Sequence, residues 1–196
     1  MTIVYRLGGA LYLNITNKCP CNCRFCIRNN AEGINPGESL WLEREPEPEE
    51  VINALAGEDI QEYSEIVFCG YGEPTERLSL LLDTARYLKE QKYSPIRLNT
   101  NGLSDLINGK KTAPLLAKYI DSISISLNAP DAASYYALCA PVFGEGAFDA
   151  MIQFAKECRE LIPEVKLSIV DINMDEETVK ACRKLAASLD IPLRLR

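Results

Sequence analysis

Short β-branched, apolar runs alternate with longer stretches of helical periodicity along this chain, and that alternation restricts the fold more than any other feature. The strand candidates are Leu11–Thr16, Glu65–Cys69, Ile96–Asn99, Ser122–Leu127, Val165–Val170 and Pro192–Leu195. The helix candidates between them are Glu47–Ala56, Arg77–Gln91, Ala113–Tyr119, Phe148–Leu161 and Glu176–Ser188, the last with Asp175 as N-cap. Connections of that length join parallel neighbours, so the pattern predicts an α/β protein with a parallel sheet. Several of the strand runs are apolar almost throughout, as expected where both sheet faces are covered. A length of 196 residues suits one domain over the whole chain, 1–196. The Pro-, Gly- and Glu-containing stretch Asn29–Glu50 reads as a long polar loop.

Composition removes many chemistries. There is no histidine, so Ser-His-Asp hydrolysis, Cys-His proteolysis, His-ligated zinc and imidazole general bases are excluded. The 28 acidic residues outnumber 21 Lys+Arg, and a net charge of −7 argues against general nucleic-acid binding and against capture by an anionic membrane. No run approaches the ~18 apolar residues of a membrane span, and Met1–Thr16 has no signal-peptide cleavage site. A cytoplasmic location is therefore expected, where eight cysteines favour metal or redox chemistry over disulfides.

Four of those cysteines crowd into Cys19-Pro-Cys21-Asn-Cys23-Arg-Phe-Cys26. Read as C-x3-C-x2-C, the run supplies three thiolates that can wrap one cubane iron–sulfur cluster and leave its fourth iron open. A structural zinc site using all four thiols is the competing reading, although such ligands usually come as two separated pairs. Cys139, Cys158 and Cys182 read as small buried hydrophobes. The second motif is Gly70-Tyr71-Gly72-Glu73-Pro74-Thr75, where the third glycine of a dinucleotide fingerprint is replaced by Thr75. Its glycines permit close backbone approach, and Glu73 can accept hydrogen bonds from a cationic amine. The plainer reading is a strand–helix turn with Glu73 at the helix N-terminus. Together with Asn99–Gly102, Asn128–Asp131 and Asp171–Asn173, these motifs follow successive strands and so share one face of a parallel sheet, where ligands bind.

These residues resemble the radical S-adenosylmethionine (SAM) superfamily. The resemblance rests on the Cys19, Cys23, Phe25, Cys26 loop, the Gly-x-Gly-Glu-Pro turn, Asn99-Thr100-Asn101-Gly102 and Ser124-Ile-Ser126-Leu-Asn128. Leu11–Asn17, Phe25–Asn29 and Ser126–Asp131 are further similar to small TatD-associated members. The resemblance implies an incomplete (β/α)6 TIM-like barrel, open on one flank because six strands cannot close as eight do. It implies a [4Fe–4S] cluster on Cys19, Cys23 and Cys26, with SAM chelating the open iron. Phe25 would lie against the adenine, and Gly70, Tyr71, Gly72 and Glu73 would hold the methionine amine. Thr100, Ser126 and Asn128 would line the ribose or carboxylate. An electron donor such as flavodoxin or ferredoxin is implied as a partner. Cys21 departs from the pattern as a surplus thiol, and the Val165–Val170 strand lacks the glycine-flanked pattern many members use near adenine.

The expected function is reductive cleavage of SAM to a 5′-deoxyadenosyl radical that abstracts hydrogen from a substrate the sequence does not name. Small-molecule chemistry resembling 7-carboxy-7-deazaguanine synthase, activation of a glycyl-radical protein partner, and a non-catalytic iron–sulfur or zinc module are the competing readings. At the last strand, period-two alternation sets Leu193 and Leu195 against the helices and points Arg194 and Arg196 into the interior, where they could clamp the SAM carboxylate or an anionic substrate.

Overall fold

The structure, a computed structural model, describes residues 1–29, 39–93, 95–170 and 174–196. Seven strands form one sheet and lie side by side in chain order: β1 (Val4–Leu7), β2 (Ala10–Leu13), β3 (Ile66–Phe68), β4 (Ile96–Thr100), β5 (Ser122–Ser126), β6 (Glu164–Ile169) and β7 (Leu193–Leu195). From β2 to β7 every pairing is parallel, with the crossovers carried by helices. The result is an incomplete TIM-like barrel, with β1 and β7 at its two free edges.

One strand differs from the sequence expectation. Val4–Leu7 turns back on β2 as an antiparallel hairpin, pairing Val4 with Leu13 and Leu7 with Ala10. Gly8, at φ 59°, makes the reversal, and a Gly-Gly pair between two β-prone runs is a recognised hairpin signal. Tyr5 then stacks on Tyr12 with ring centroids 5.0 Å apart.

The helices are α1 (Pro48–Ala56), α2 (Leu78–Glu90), α3 (Ser104–Asn108), α4 (Ala113–Leu116), α5 (Ala132–Cys139), α6 (Gly146–Leu161) and α7 (Glu176–Ser188). Helix α7 matches its expected span, capped by Asp175, whose carboxylate accepts the Thr178 N–H. Helices α3 and α5 were not anticipated. Asp131 starts α5 by accepting the Ser134 N–H, and Ala140 ends it in the left-handed region at φ 42°.

Strand alternation divides the sheet into two chemically different faces. Leu11, Leu13, Ile66, Phe68, Ile96, Leu98, Ile123, Ile125, Leu167 and Ile169 point toward the helices and are buried against Leu81, Leu88, Met151 and Phe154. Each such burial is worth about 1.5–3 kcal/mol, which makes this layer the main source of stability. The opposite, concave face carries Arg97 and Asn99 from β4, serines 122, 124 and 126 from β5, Lys166 and Ser168 from β6, and Arg194 from β7. Among the described residues, no helix is long and apolar enough to cross a membrane.

Candidate functional site

The cysteine loop leaves the C-terminal end of β2 and is held on three sides. Its backbone docks on the end of α5, with Asn22 N–H donating to Cys139 O and Arg24 N–H to Leu138 O, each at 3.0 Å. Val142 N–H returns to Pro20 O at 2.9 Å, and Cys21 bridges to Pro141. On the other side, Glu73 N–H donates to Lys18 O at 2.7 Å. Gly72 is required for that approach: a Cβ there would stand 2.3 Å from Thr16 O and 2.6 Å from Lys18 O. Arg28 grips the loop from within, through Nε to Cys26 Sγ at 3.3 Å and Nη2 to Cys21 O at 3.2 Å.

Cys19, Cys23 and Cys26 are half-buried at the loop surface, whereas Cys21 is buried. The Cys139 thiol, then that of Cys21, hydrogen-bonds Cys23 and holds it well below the usual thiol range, with the Arg28 charge adding to the effect. A hydrogen bond from Cys21 likewise lowers Cys19, while Cys21 itself is pushed up. Two half-buried thiols that favour the thiolate, with a third beside an arginine, are a donor set suited to iron. Among the described residues, no three Cys, Asp or Glu side chains converge on a single-ion site. A cubane asks for another arrangement, each thiolate on its own iron, so its sulfurs stand apart.

Glu73 occupies the turn after β3 and is only 3% exposed. Its Oε1 accepts Thr75 N–H at 3.2 Å, Thr75 Oγ1 at 2.8 Å and Thr100 Oγ1 at 2.7 Å, and its Oε2 accepts Asn101 N–H at 2.7 Å. Burial pushes this carboxyl above its ordinary range, against the pull of those four donors. Glu73 thus caps the short 3-10 helix Pro74–Arg77 and ties it to the turn after β4, as the plainer sequence reading has it. The same network uses the Thr100 hydroxyl, which also accepts Gly102 N–H at 3.1 Å. Tyr71 packs its ring edge-on against Trp41, with centroids 5.3 Å apart. Gly70 leaves room for Asn14, whose Oδ1 would be 2.1 Å from a Cβ and which accepts the Tyr71 N–H at 3.4 Å.

Phe25 and Asn128 are brought together elsewhere, on the wall of a cavity of about 680 Å³ between the cysteine loop, the end of β5 and the start of α7. Arg24, Pro130, Met174 and Thr178 complete much of that wall. Asn128 is 4% exposed and sits in the left-handed region at φ 58°. Its Nδ2 reaches Cys139 Sγ at 3.8 Å, but its buried Oδ1 has no hydrogen-bond partner among the described residues. An orphaned buried acceptor is costly, and a ligand donor would satisfy it. Ser126, the last residue of β5, faces inward and accepts Arg196 Nη2 at 3.2 Å. The expected motif Asp171–Asn173 lies outside the described residues, as does the 30–38 part of the expected loop.

Cys139, Met174 and Thr178 were not expected at the site, whereas Asn101 belongs to the expected Asn99–Gly102 motif. Asn101 Nδ2 comes within 4.0 Å of Cys19 Sγ and 3.8 Å of Cys21 Sγ, linking the Glu73 network to the thiols. Cys139 is buried as foreseen, at 1% exposure, yet contacts Cys23. Thr178 of α7, with Met174 just before that helix, joins the cavity wall. Asn101 alone carried a local signal, its place in the Thr-Asn-Gly turn.

The sequence family described as the Radical SAM superfamily matches residues 13–186. No curated protein matches the chain. Among solved structures, Streptococcus suis SuiB bound to precursor peptide SuiA is similar at a TM-score of 0.70 and 19% identity, over 98% of this chain and 40% of that one. Native anSMEcpe with bound AdoMet is similar at 0.65 and 18% identity, over 94% of this chain and 50% of that one. A radical SAM methyltransferase from Sphaerobacter thermophilus is similar at 0.56 and 15% identity, over 98% and 68%. The chain thus spans 40 to 50% of the length of the first two, and at these identities the likeness is one of fold. With the family match running from β2 nearly to the end of α7, the chain belongs to the radical SAM superfamily.

Proposed function

We propose that this protein is a radical SAM enzyme whose cluster loop is Cys19, Cys23 and Cys26 and whose SAM site is the adjoining cavity. One observation carries the reading: the loop that bears the three thiols lines, through Arg24 and Phe25, a cavity whose wall also holds Asn128, a buried amide whose Oδ1 has no partner among the described residues. When bound, a [4Fe–4S] cluster supplies the electron that cleaves SAM to methionine and a 5′-deoxyadenosyl radical, which takes a hydrogen atom from the substrate.

The protein's own part is positioning and exclusion of water. Arg28 and the end of α5 fix the loop that carries the thiols. Phe25 offers an aromatic face to the adenine, and Asn128 offers its free acceptor to a ligand N–H or hydroxyl. Glu73 acts one step back, holding the Thr100–Asn101 turn against the loop. Cys21 is buried and supports its neighbours through hydrogen bonds. A flavodoxin or ferredoxin would supply the electron. SuiB and anSMEcpe have been solved with peptides, but the identities and partial coverage leave the substrate of this chain open.

Anaerobic reconstitution followed by dithionite and SAM tests the reading. 5′-Deoxyadenosine should form with wild type and Cys21→Ala, and be lost together with bound iron in Cys19→Ala, Cys23→Ala and Cys26→Ala. Loss of iron in Cys21→Ala with retention in Cys23→Ala would overturn the ligand assignment. Iron loading without any SAM cleavage would favour a non-catalytic module.

A further inference from the structure

The concave face of the sheet is unusual for a barrel interior, which bulky branched residues normally fill. Here β5 presents three serines, leaving space lined by charge: a cavity of about 120 Å³ opens among Arg97, Ser122, Ser124, Lys166 and Arg194, with Glu65 and Glu164 also in its wall. Two of the four nearby cations are neutralised. Arg97 forms a two-pronged pair with Glu65, at 2.9 and 2.7 Å, and Lys166 pairs with Glu164 at 2.5 Å. The other two are not. Arg196 reaches only the Ser126 hydroxyl, and Arg194 has no side-chain partner among the described residues. Burial, with the charges of Arg194 and Arg97, lowers the Arg196 guanidinium below its ordinary range. Like charges facing one another over polar hydroxyls are relieved by a bound anion.

The position matters as much as the charge. Ser126, which accepts Arg196, lies two residues before Asn128, so Arg196 sits just inside the strand ends that carry the SAM cavity, while Arg194 lines the cavity that extends toward the strand starts. We propose that Arg194 and Arg196, with the β5 serine hydroxyls, form an anion subsite that holds a carboxylate or phosphate of the substrate. This assignment of substrate class rests on the radical SAM reading, since it needs the hydrogen-abstracting centre above it. The guanidinium fork suits either group, and the serines add donors at the right depth.

Calorimetric titration at low salt with inorganic phosphate, and separately with succinate, tests it on both cofactor-free and reconstituted protein. At least one of the two anions should bind wild type. The Arg194→Gln/Arg196→Gln double variant should bind it about tenfold more weakly or worse, as expected for lost charge-assisted hydrogen bonds. Arg196→Lys, which keeps the charge and loses the fork, should fall between. Lys180→Gln/Lys184→Gln, which removes the same charge from the exposed face of α7, should bind as wild type does. A preference for phosphate or for succinate names the group. No binding of either anion by wild type, equal loss in the lysine variant, or no loss in the arginine variant would each overturn the proposal. So would a matching drop in SAM affinity, which would assign the arginines to the SAM carboxylate instead. Because anion binding is read without SAM cleavage, failure of the enzymatic reading and failure of the subsite give different results.

Discussion

Replacing Glu73 by alanine should damage the fold before it damages anything else. The carboxylate is the common acceptor of four donors, two of them the backbone N–H groups of Thr75 and Asn101. Hydroxyls can rotate to new partners, but the two N–H groups cannot, and each buried orphan costs about 1–3 kcal/mol. Some of this is offset, because burial of the charge is itself unfavourable and shifts the carboxyl upward. The expected net loss is about 2–4 kcal/mol. For a chain of this size that corresponds to a fall in melting temperature of about 5–15 °C. Glu73→Gln should cost less, since a carbonyl oxygen can keep the three Oε1 bonds while its amide nitrogen faces the Asn101 N–H. Urea denaturation of the cofactor-free proteins, followed by circular dichroism, gives the free energies directly. If Glu73→Ala unfolds at the wild-type midpoint while SAM affinity collapses, the carboxylate belongs to the ligand and the argument fails.

Gly72→Ala should lower iron incorporation and stability together, because its Cβ meets carbonyl oxygens that cannot move away; Gly146→Ala, with open space around it, should lower neither. Asn128→Gly should keep the melting temperature and lose SAM affinity, whereas Asn128→Ala should lose both, left-handed alanine costing about 1–2 kcal/mol. Isothermal binding and thermal scans on the two variants separate those effects. Glu50 is held at about 2 by its hydrogen bonds from Arg44 and the Glu47 N–H. Its folded value lies below the ordinary 4.5, so the stability it contributes is present above that pH and lost as pH falls toward 2. The gap in unfolding midpoint between wild type and Glu50→Gln should therefore close over that window, and a gap that persists at pH 2 would contradict it.

The parallel core was legible because strand and helix periods alternate cleanly, and α7 was legible to the residue because Asp175 caps it. Strand β1 was not read, being short and half exposed, although Gly8-Gly9 marks its turn. Helix α5 escaped because its apolar residues do not follow one stripe: Tyr135 and Cys139 are buried while Tyr136 is exposed. The cysteine loop and Gly-Glu-Pro turn are local in sequence and therefore visible. The partners of Glu73 are not, since Thr100 and Asn101 arrive from the next strand and only folding decides that they, rather than a ligand, face the carboxylate. Cys139 likewise reaches Cys23 only because α5 ends beneath the loop. The inward turn of the last arginine followed from strand alternation and is seen in the Arg196–Ser126 contact.

The β1–β2 hairpin also bears on how the chain behaves during biosynthesis. A six-strand parallel array would present β2 as an open apolar edge with free N–H and C=O groups, a template for pairing with another unfolded copy. Folding Val4–Leu7 back covers that rim with a strand whose outer residues, Arg6 and Leu7, are exposed and half charged. The far rim, β7, is three residues long and carries Arg194. Both margins are thus blunted by the chain's own residues. Deleting residues 1–7 should therefore expose the β2 edge and make the protein precipitate on expression, which the soluble fraction of the truncated chain against the full one would measure.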